Sequence, residues 1–250
     1  MNRSGRERLI FALDTGEDIH RAIAWVDQLK DHLGMFKVGK EVFTRFGPAI
    51  VSEIRARGGR VFLDLKFHDI PNTVAQAARA ATGMDISMFN IHALGGQEMM
   101  SATVESVTKT VKELGFSQPI ILAVTVLTSL DDSNLKDMGF CHGAAKTALH
   151  LAKLAQTAGV SGVVASPQDI VPIREACGKD FLIVTPGVRL DDNKVAGDDQ
   201  KRVLTPREAA RLGADYIVVG RPIRLAQDPV AVAEKIGKEI LDGLSMRKVC

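Results

Sequence analysis

The sequence predicts an α/β protein with a (β/α)8 fold of the TIM-barrel type, formed by residues 1–250 as a single domain. Short apolar runs alternate with amphipathic segments along the whole chain, which gives eight strand-then-helix units without a break in composition. Aromatic residues make up only 5% of the chain, and aliphatic residues are common, as in a core between parallel strands and helices. A doubly wound open sheet is the alternative, but its G-x-G-x-x-G fingerprint is absent.

The eight strands are predicted where apolar residues run together over a short stretch, the pattern of strands buried on both faces. In order along the chain they cover residues 9–14, 35–39, 60–66, 85–92, 119–127, 162–166, 181–185 and 216–220. The fifth is the richest in β-branched residues, which favour extended backbone.

The helices are predicted in the amphipathic segments between these strands: 19–29, 41–57, 71–82, 97–114, 131–138, 144–158, 168–176 and 229–241. Pro71 falls in the first turn of its helix, where proline is tolerated. After the seventh strand, residues 190–200 form a long polar loop. We interpret it as a lid over a phosphorylated ligand, with Gly197 for flexibility and Gln200 as a donor, although a solvated loop is the competing interpretation.

Composition excludes several classes of function. The chain carries 32 basic and 30 acidic residues, a net charge of +2, and no basic stripe with interleaved aromatics, so nucleic acid is not a favoured partner. The charged first eight residues do not resemble a signal peptide, and the longest apolar run, around 120–124, is too short to span a membrane. Three cysteines without C-x-x-C spacing indicate free thiols in a reducing cytoplasm.

The end of the third strand concentrates charged residues. Asp64 and Lys66 are two positions apart, so the alternation of a strand places both side chains on one face. A carboxylate beside an ammonium can serve proton chemistry, but a structural salt bridge is an equally valid interpretation, with Asp69 merely capping the next helix.

Polar residues at the ends of the other strands favour a site. Catalytic groups in barrels lie at the carboxyl ends of the strands. The residues found at or near these ends are Asp14, Lys37, His92, Thr128, Arg189, Gly220 and Arg221.

The segment 220–223 after the eighth strand has the features of a phosphate site, because glycine allows close backbone approach and arginine adds charge-assisted hydrogen bonds. A surface arginine beside a turn proline is the simpler alternative. Templates for metal binding and for nucleophilic catalysis are absent, so no metal or cofactor is predicted.

These motifs together resemble one family, orotidine 5′-phosphate decarboxylase. The ten residues 64–73, DLKFHDIPNT, match its signature, and further matches follow in order. These are ALD at 12–14, FKVG at 36–39, LTS at 127–129, TPGVR at 185–189 and VGRPI at 219–223. The resemblance runs from residue 9 to beyond residue 223.

The resemblance implies decarboxylation of orotidine 5′-monophosphate to uridine 5′-monophosphate, the last step of de novo UMP synthesis, without metal or cofactor, by a cytoplasmic homodimer. It assigns Lys66 as the proton donor, with catalytic Asp64 beside the departing carboxylate and catalytic Asp69 contributed to the partner's site. Substrate-binding residues follow by the same match: Asp14 and Lys37 at the ribose, Thr73 across the dimer, Thr128 at the base, and Arg189, Gln200, Gly220 and Arg221 at the phosphate.

Two other functions stay open. Metal-dependent sugar-phosphate decarboxylases and synthases share the D-x-K-x-x-D strand ending, but the continuation 70–73 and Thr128 favour the nucleotide substrate. A barrel that binds a phosphorylated ligand without catalysis is the second alternative. The intact set of Asp64, Lys66 and Asp69 argues against it, because a pure binder has no need of alternating charges there.

Overall fold

Eight parallel strands form a closed barrel in which each strand is hydrogen-bonded to its neighbours in chain order, as predicted. The structure is a computed structural model that describes residues 5–16, 18–190 and 204–247. The strands are β1 (Leu9–Ala12), β2 (Met35–Gly39), β3 (Val61–Phe67), β4 (Met88–His92), β5 (Ile120–Val124), β6 (Gly162–Val164), β7 (Leu182–Pro186) and β8 (Tyr216–Val219).

Helices follow the strands along the chain. They are α1 (Ile19–Leu29), α2 (Lys40–Phe46), α3 (Pro48–Ala56), α4 (Pro71–Gly83), α5 (Gly96–Leu114), α6 (Asp132–Asp137), α7 (Ala144–Thr157), α8 (Ile170–Cys177), α9 (Pro206–Leu212), α10 (Arg221–Arg224) and α11 (Pro229–Ser245). Short 3-10 turns occur at Gly5–Arg8, Ala93–Gly95 and Pro167–Asp169.

The single helix predicted over residues 41–57 was wrong. Gly47 separates α2 from α3, and its φ of +60° lies in the left-handed region that favours glycine. Pro48 then occupies the first turn of α3, where its missing N–H costs no helical hydrogen bond. The glycine-proline pair therefore ends one helix and begins the next.

Two helices were missed. Helix α9 begins with a capping box in which Thr205 and Glu208 each accept a hydrogen bond from the other's backbone N–H. The sequence pattern T-x-x-E at residues 205–208 is typical of a capping box and predicts a helix start there. Helix α10 has only four residues and begins directly after Gly220, too short for a periodic pattern to appear.

The first of two compact units consists of Met1–Phe62 and Thr185–Cys250. All four residues of β1 are buried, and β1 pairs with both β2 and β8. The Phe11 ring lies 5.6 Å from that of Trp25 and 6.4 Å from that of Phe36, measured between centroids. This aliphatic and aromatic core holds β1 and β2 in the register that positions the polar residues following them.

The second unit is Leu63–Val184. Here β4, β5 and β6 are paired in parallel, and β6 pairs in turn with β7. Gly162 allows β6 to approach β7 closely, since an added Cβ would lie 2.2 Å from the Leu182 carbonyl oxygen. Helices α4 and α5 pack together, and Ser106 Oγ donates to the Ala75 carbonyl at 2.8 Å.

None of the helices within the described ranges combines the length and apolar character that crossing a bilayer requires. The prediction that residues 1–250 make up one domain stays a prediction.

Candidate active site

Asp64 and Lys66 form a close ion pair in the second half of β3. Lys66 Nζ donates to Asp64 Oδ1 at 2.5 Å, and both side chains are largely shielded from solvent. Shielding from water strengthens such a pair relative to one on an open surface. The 2.5 Å distance shows that the two side chains are in contact, as the sequence predicts. The contact places a charged donor at the end of the strand.

The backbone at Lys66 departs from the predicted strand geometry. Its φ of +53° lies in the left-handed region, which costs a residue with a Cβ about 1–2 kcal/mol. Simple alternation of side chains therefore does not explain why Lys66 meets Asp64. Non-glycine residues in this conformation are concentrated at functional sites, where the surrounding structure holds them in place.

Asn90 of β4 bridges the ion pair and this unusual backbone. Its Nδ2 donates to Asp64 Oδ1 at 2.7 Å, and its Oδ1 accepts from the Lys66 backbone N–H at 2.8 Å. Asn90 is only 1% exposed. Asn90 was not among the predicted site residues, although a polar residue between the apolar Phe89 and Ile91 of a strand was an available signal.

Two histidines lie beside the loop that follows β3. The rings of His68 and His92 are stacked, with centroids 5.2 Å apart and planes at 22°. His92 Nδ1 accepts from the Leu94 backbone N–H at 3.4 Å, so His92 caps the 3-10 turn Ala93–Gly95. The stacking of His68 on His92 joins the end of β4 to the loop after β3.

Asp69 and Thr73 lie on the surface of this unit. Asp69 Oδ1 accepts from the Ile70 backbone N–H at 2.6 Å, and Thr73 is exposed in the first turn of α4. Within the described residues no salt bridge joins Asp69 to Lys66, whose carboxylate partner is Asp64. The action of Asp69 and Thr73 in a partner's site stays a prediction.

Thr128 follows β5 in an exposed turn. The Leu130 backbone N–H donates to the Leu127 carbonyl at 2.9 Å and closes this turn around Thr128. Its position beyond the carboxyl end of a strand agrees with the expected location of a substrate contact.

In the other unit, Asp14 and Lys37 are brought together by strand register. Ala12 of β1 pairs with Lys37 of β2, and Asp14 follows Ala12 by two residues. Lys37 Nζ lies 3.6 Å from Asp14 Oδ1. Gly39 borders the pair, since an added Cβ would lie 3.1 Å from Lys37 Nζ and 3.5 Å from Asp14 Oδ1. Gly39 leaves room beside both charged groups, and it was not among the predicted site residues.

Arg189 and Arg221 form a doubly cationic region in the same unit. Burial of the guanidinium and the nearby positive charge of Arg221 both lower the pKa of Arg189. Gly220 lies between β8 and α10, and an added Cβ there would lie 3.2 Å from Ala12 Cβ. Two arginines close enough to repel each other, beside a glycine backbone, can bind a doubly charged anion.

Gln200, Gly197 and most of the predicted lid lie outside the described residues. Of the other predicted site residues, ion pairs join Asp64 to Lys66 and Asp14 to Lys37, and the charge of Arg221 acts on Arg189. No group of three or more His, Cys, Asp or Glu side chains capable of holding a metal ion occurs in 5–16, 18–190 or 204–247.

One cavity of about 210 Å³ is lined by residues of the first unit. It is bordered by Arg6 and Glu7 before β1, Gly34 before β2 and Arg60 before β3. The cavity is therefore at the amino ends of its strands, whereas catalytic residues of barrels occupy the carboxyl ends. We assign it no part in the site.

Comparison with known proteins agrees with the sequence motifs. Residues 7–236 match the family described as Orotidine 5′-phosphate decarboxylase / HUMPS family. A protein of Syntrophus aciditrophicus named orotidine 5′-phosphate decarboxylase is 58% identical over 246 residues, 98% of each chain. One of the same name from Geobacter metallireducens is 55% identical over 95% of this chain and 98% of its own.

Solved structures show the same similarity. The crystal structure of orotidine 5′-phosphate decarboxylase from Lactobacillus acidophilus superposes with a TM-score of 0.82 at 37% identity, covering 93% of this chain and 98% of the other. An uncharacterized conserved protein from Geobacillus kaustophilus gives a TM-score of 0.79 at 36% identity, with 93% and 99% covered.

Proposed function

The chain belongs to the orotidine 5′-phosphate decarboxylase / HUMPS family, and we propose that it converts orotidine 5′-monophosphate to uridine 5′-monophosphate and carbon dioxide. This reaction is the last step of UMP synthesis. The observation that carries the proposal is the shielded Asp64–Lys66 pair at the end of β3, where a lysine ammonium is held as a proton donor. The relatives named for this activity support it over almost the full length of the chain.

Lys66 supplies the proton in the proposed reaction. Cleavage of the bond between the ring carbon and its carboxylate leaves the electron pair on that carbon and releases carbon dioxide. No adjacent carbonyl delocalises this pair, so a nearby positive charge must stabilise it. The carbon then takes a proton from Lys66 Nζ, and solvent reprotonates the lysine.

Asp64 has two parts in this proposal. It holds the Lys66 ammonium in position through the 2.5 Å contact of Oδ1. It also lies beside the carboxylate that departs. The carboxylate of Asp64 is partly buried, so its orientation is set by its donors and not by bulk water.

Binding of the rest of the nucleotide is assigned to other strand ends. Asp14 and Lys37 contact the ribose hydroxyls, and Thr128 contacts the base. Arg189 and Arg221, with the Gly220 backbone, bind the phosphate, and the two close guanidinium groups support this assignment. Gln200 is assigned to the phosphate by family resemblance alone.

Phosphate binding is remote from the bond that breaks. Contacts to a non-reacting group can contribute to rate by organising the site around the reacting group. A substrate without its phosphate is therefore expected to lose kcat as well as affinity.

The homodimer is a separate part of the proposal. Asp69 and Thr73 are exposed in this chain, and the intervening Ile70 leaves 66% of its surface uncovered. An exposed apolar residue beside a carboxylate with no ion-pair role in its own unit suits a subunit contact. We propose that Asp69 and Thr73 complete the partner's site, and that the dimer acts in the cytoplasm.

Subunit mixing tests the shared site. Lys66→Ala and Asp69→Ala are each expected to be nearly inactive alone. If Asp69 serves the partner, a mixed dimer has one doubly defective and one intact site, so random mixing restores about a quarter of wild-type activity. No recovery after mixing, with mixed dimers demonstrated, would show that Asp69 acts within its own chain.

The rival function is a metal-dependent reaction on a sugar phosphate, also found among proteins with the D-x-K-x-x-D strand ending. Turnover of orotidine 5′-monophosphate in excess chelator decides between them: activity unaffected by the chelator is expected. Lys66→Ala should retain substrate binding and lose nearly all turnover, with exposed Lys109→Ala as the matched control. Absence of turnover by the wild-type protein would refute the proposed function.

A further inference from the structure

Asn90 lies in a position that neither the family motifs nor the proposed reaction accounts for. It is a buried residue between Phe89 and Ile91 in β4, and both ends of its amide are hydrogen-bonded to residues of β3. Only one orientation of the amide satisfies both contacts, since the carboxylate of Asp64 needs a donor and the Lys66 N–H needs an acceptor. The side chain is therefore fixed.

The first contact holds the backbone of the proton donor. Lys66 has a φ of +53°, a conformation that a residue with a side chain adopts only when its surroundings impose it. Its N–H donates to Asn90 Oδ1 at 2.8 Å, a side-chain acceptor from a residue 24 positions along the chain. The hydrogen bond from Asn90 therefore stabilises the left-handed backbone of Lys66. Through this backbone it also sets the direction in which the lysine side chain leaves β3.

The second contact holds the carboxylate. Asp64 Oδ1 accepts from both Lys66 Nζ and Asn90 Nδ2. When Lys66 delivers its proton, its charge-assisted contact with Asp64 Oδ1 weakens. The contact from Asn90 does not depend on the protonation of Lys66, so it keeps Asp64 in place through the reaction.

We propose that Asn90 is a positioning residue for the decarboxylation, which it serves by fixing the Lys66 backbone and the Asp64 carboxylate at once. The inference rests on the proposed function for its effect on rate. Its structural content, the two hydrogen bonds, can be tested without turnover.

The kinetic test uses two variants that remove different hydrogen bonds of Asn90. Asn90→Ala removes both contacts and is expected to lower kcat about 10- to 100-fold with KM changed less than about threefold, the range for a lost hydrogen bond to a charged group. Asn90→Asp keeps an acceptor for Lys66 but replaces the donor to Asp64 by a second carboxylate. Its kcat should recover as the pH falls, because a protonated carboxyl can donate again, whereas Asn90→Ala should show no recovery.

Thr103→Ala is the matched control. Thr103 is also a buried polar residue of this unit, and its hydroxyl donates to the Met99 carbonyl within α5 at 2.8 Å. It should leave kcat within about twofold of wild type at temperatures where all variants are folded. A kcat of Asn90→Ala equal to that of the control would overturn the inference.

Hydrogen exchange provides the readout that is independent of activity. The Lys66 amide, observed by NMR with ¹⁵N-lysine labelling, should exchange at least about tenfold faster in Asn90→Ala than in wild type or in Asn90→Asp. Equal exchange in Asn90→Ala and wild type overturns the inference even in a protein that proves inactive. If wild-type protein fails to turn over substrate while Lys66 is protected as expected, the proposed function has failed and the positioning contact stands.

Discussion

Replacing Lys66 by glycine should give a more stable protein than replacing it by alanine. Both variants lose the ammonium and its contact with Asp64, so these losses cancel in the comparison. What differs is the backbone, which has a φ of +53° at this residue. In the folded state this conformation destabilises alanine by about 1–2 kcal/mol and glycine by almost nothing. Glycine has greater conformational freedom in the unfolded chain, and this reduces the stability advantage of the glycine variant by about 0.5–1 kcal/mol.

The net difference in the free energy of unfolding is therefore about 0.5–1 kcal/mol in favour of Lys66→Gly. For a chain of this size it corresponds to a Tm about 1–4 °C higher. Urea unfolding followed by the fluorescence of the single tryptophan, Trp25, measures it, with thermal unfolding as a second probe. Ala80→Gly on the exposed face of α4 is the matched control, where glycine should instead destabilise by about 1 kcal/mol.

An alanine variant as stable as the glycine variant, or more stable, would refute the reasoning. It would mean that the left-handed backbone at Lys66 is either absent or abandoned once the lysine is removed. In either case the functional site would not store conformational strain at this residue.

Three further predictions concern charge, packing and binding. Burial raises the pKa of Asp169 to about 6 from its ordinary 3.8, so the folded state holds this proton more tightly than the unfolded state. Asp169→Asn should therefore be more stable by about 1–2 kcal/mol at pH 7.5, after allowance for solvent screening. That advantage should shrink as the pH falls below 6 and vanish near pH 4, as urea unfolding across pH will show. Gly162→Ala should destabilise the folded protein by about 2 kcal/mol or more, because the new Cβ would meet the Leu182 backbone. Gly83→Ala is the control: its Cβ would have open space around it, so the folded protein should become more stable by about 0.5–1 kcal/mol. Arg221→Ala should lower kcat/KM for orotidine 5′-monophosphate about 10- to 100-fold, through loss of a charge-assisted contact to phosphate.

Each of these has a clear contrary outcome. A pH-independent difference between wild type and Asp169→Asn would show that the carboxyl is not buried as described. Equal stabilities of Gly162→Ala and wild type would contradict the close approach of β6 and β7. Equal losses in Arg221→Ala and in Arg224→Ala, three residues further on, would remove the specific role of Arg221.

Much of the fold follows from local patterns. A strand lies at each of the eight apolar runs, as predicted. This pattern is readable because a strand buried on both faces needs continuous apolar residues wherever it lies in the chain. The helix break at Gly47 and the start of α9 at Thr205 were also encoded locally, in a glycine-proline pair and a capping box. Amphipathic spacing by itself shows neither feature.

The sequence by itself determined the barrel, the order of its strands, the polar residues at their carboxyl ends and, through the DLKFHDIPNT motif, the family. The tertiary structure decided which of these residues touch. Asn90 reaches Asp64 and Lys66 across 26 and 24 residues, and Arg221 acts on Arg189 across 32. Such contacts depend on strand register and on the backbone conformation of Lys66. Neither is expressed in local periodicity, because both are set by the packing of segments far apart in the chain.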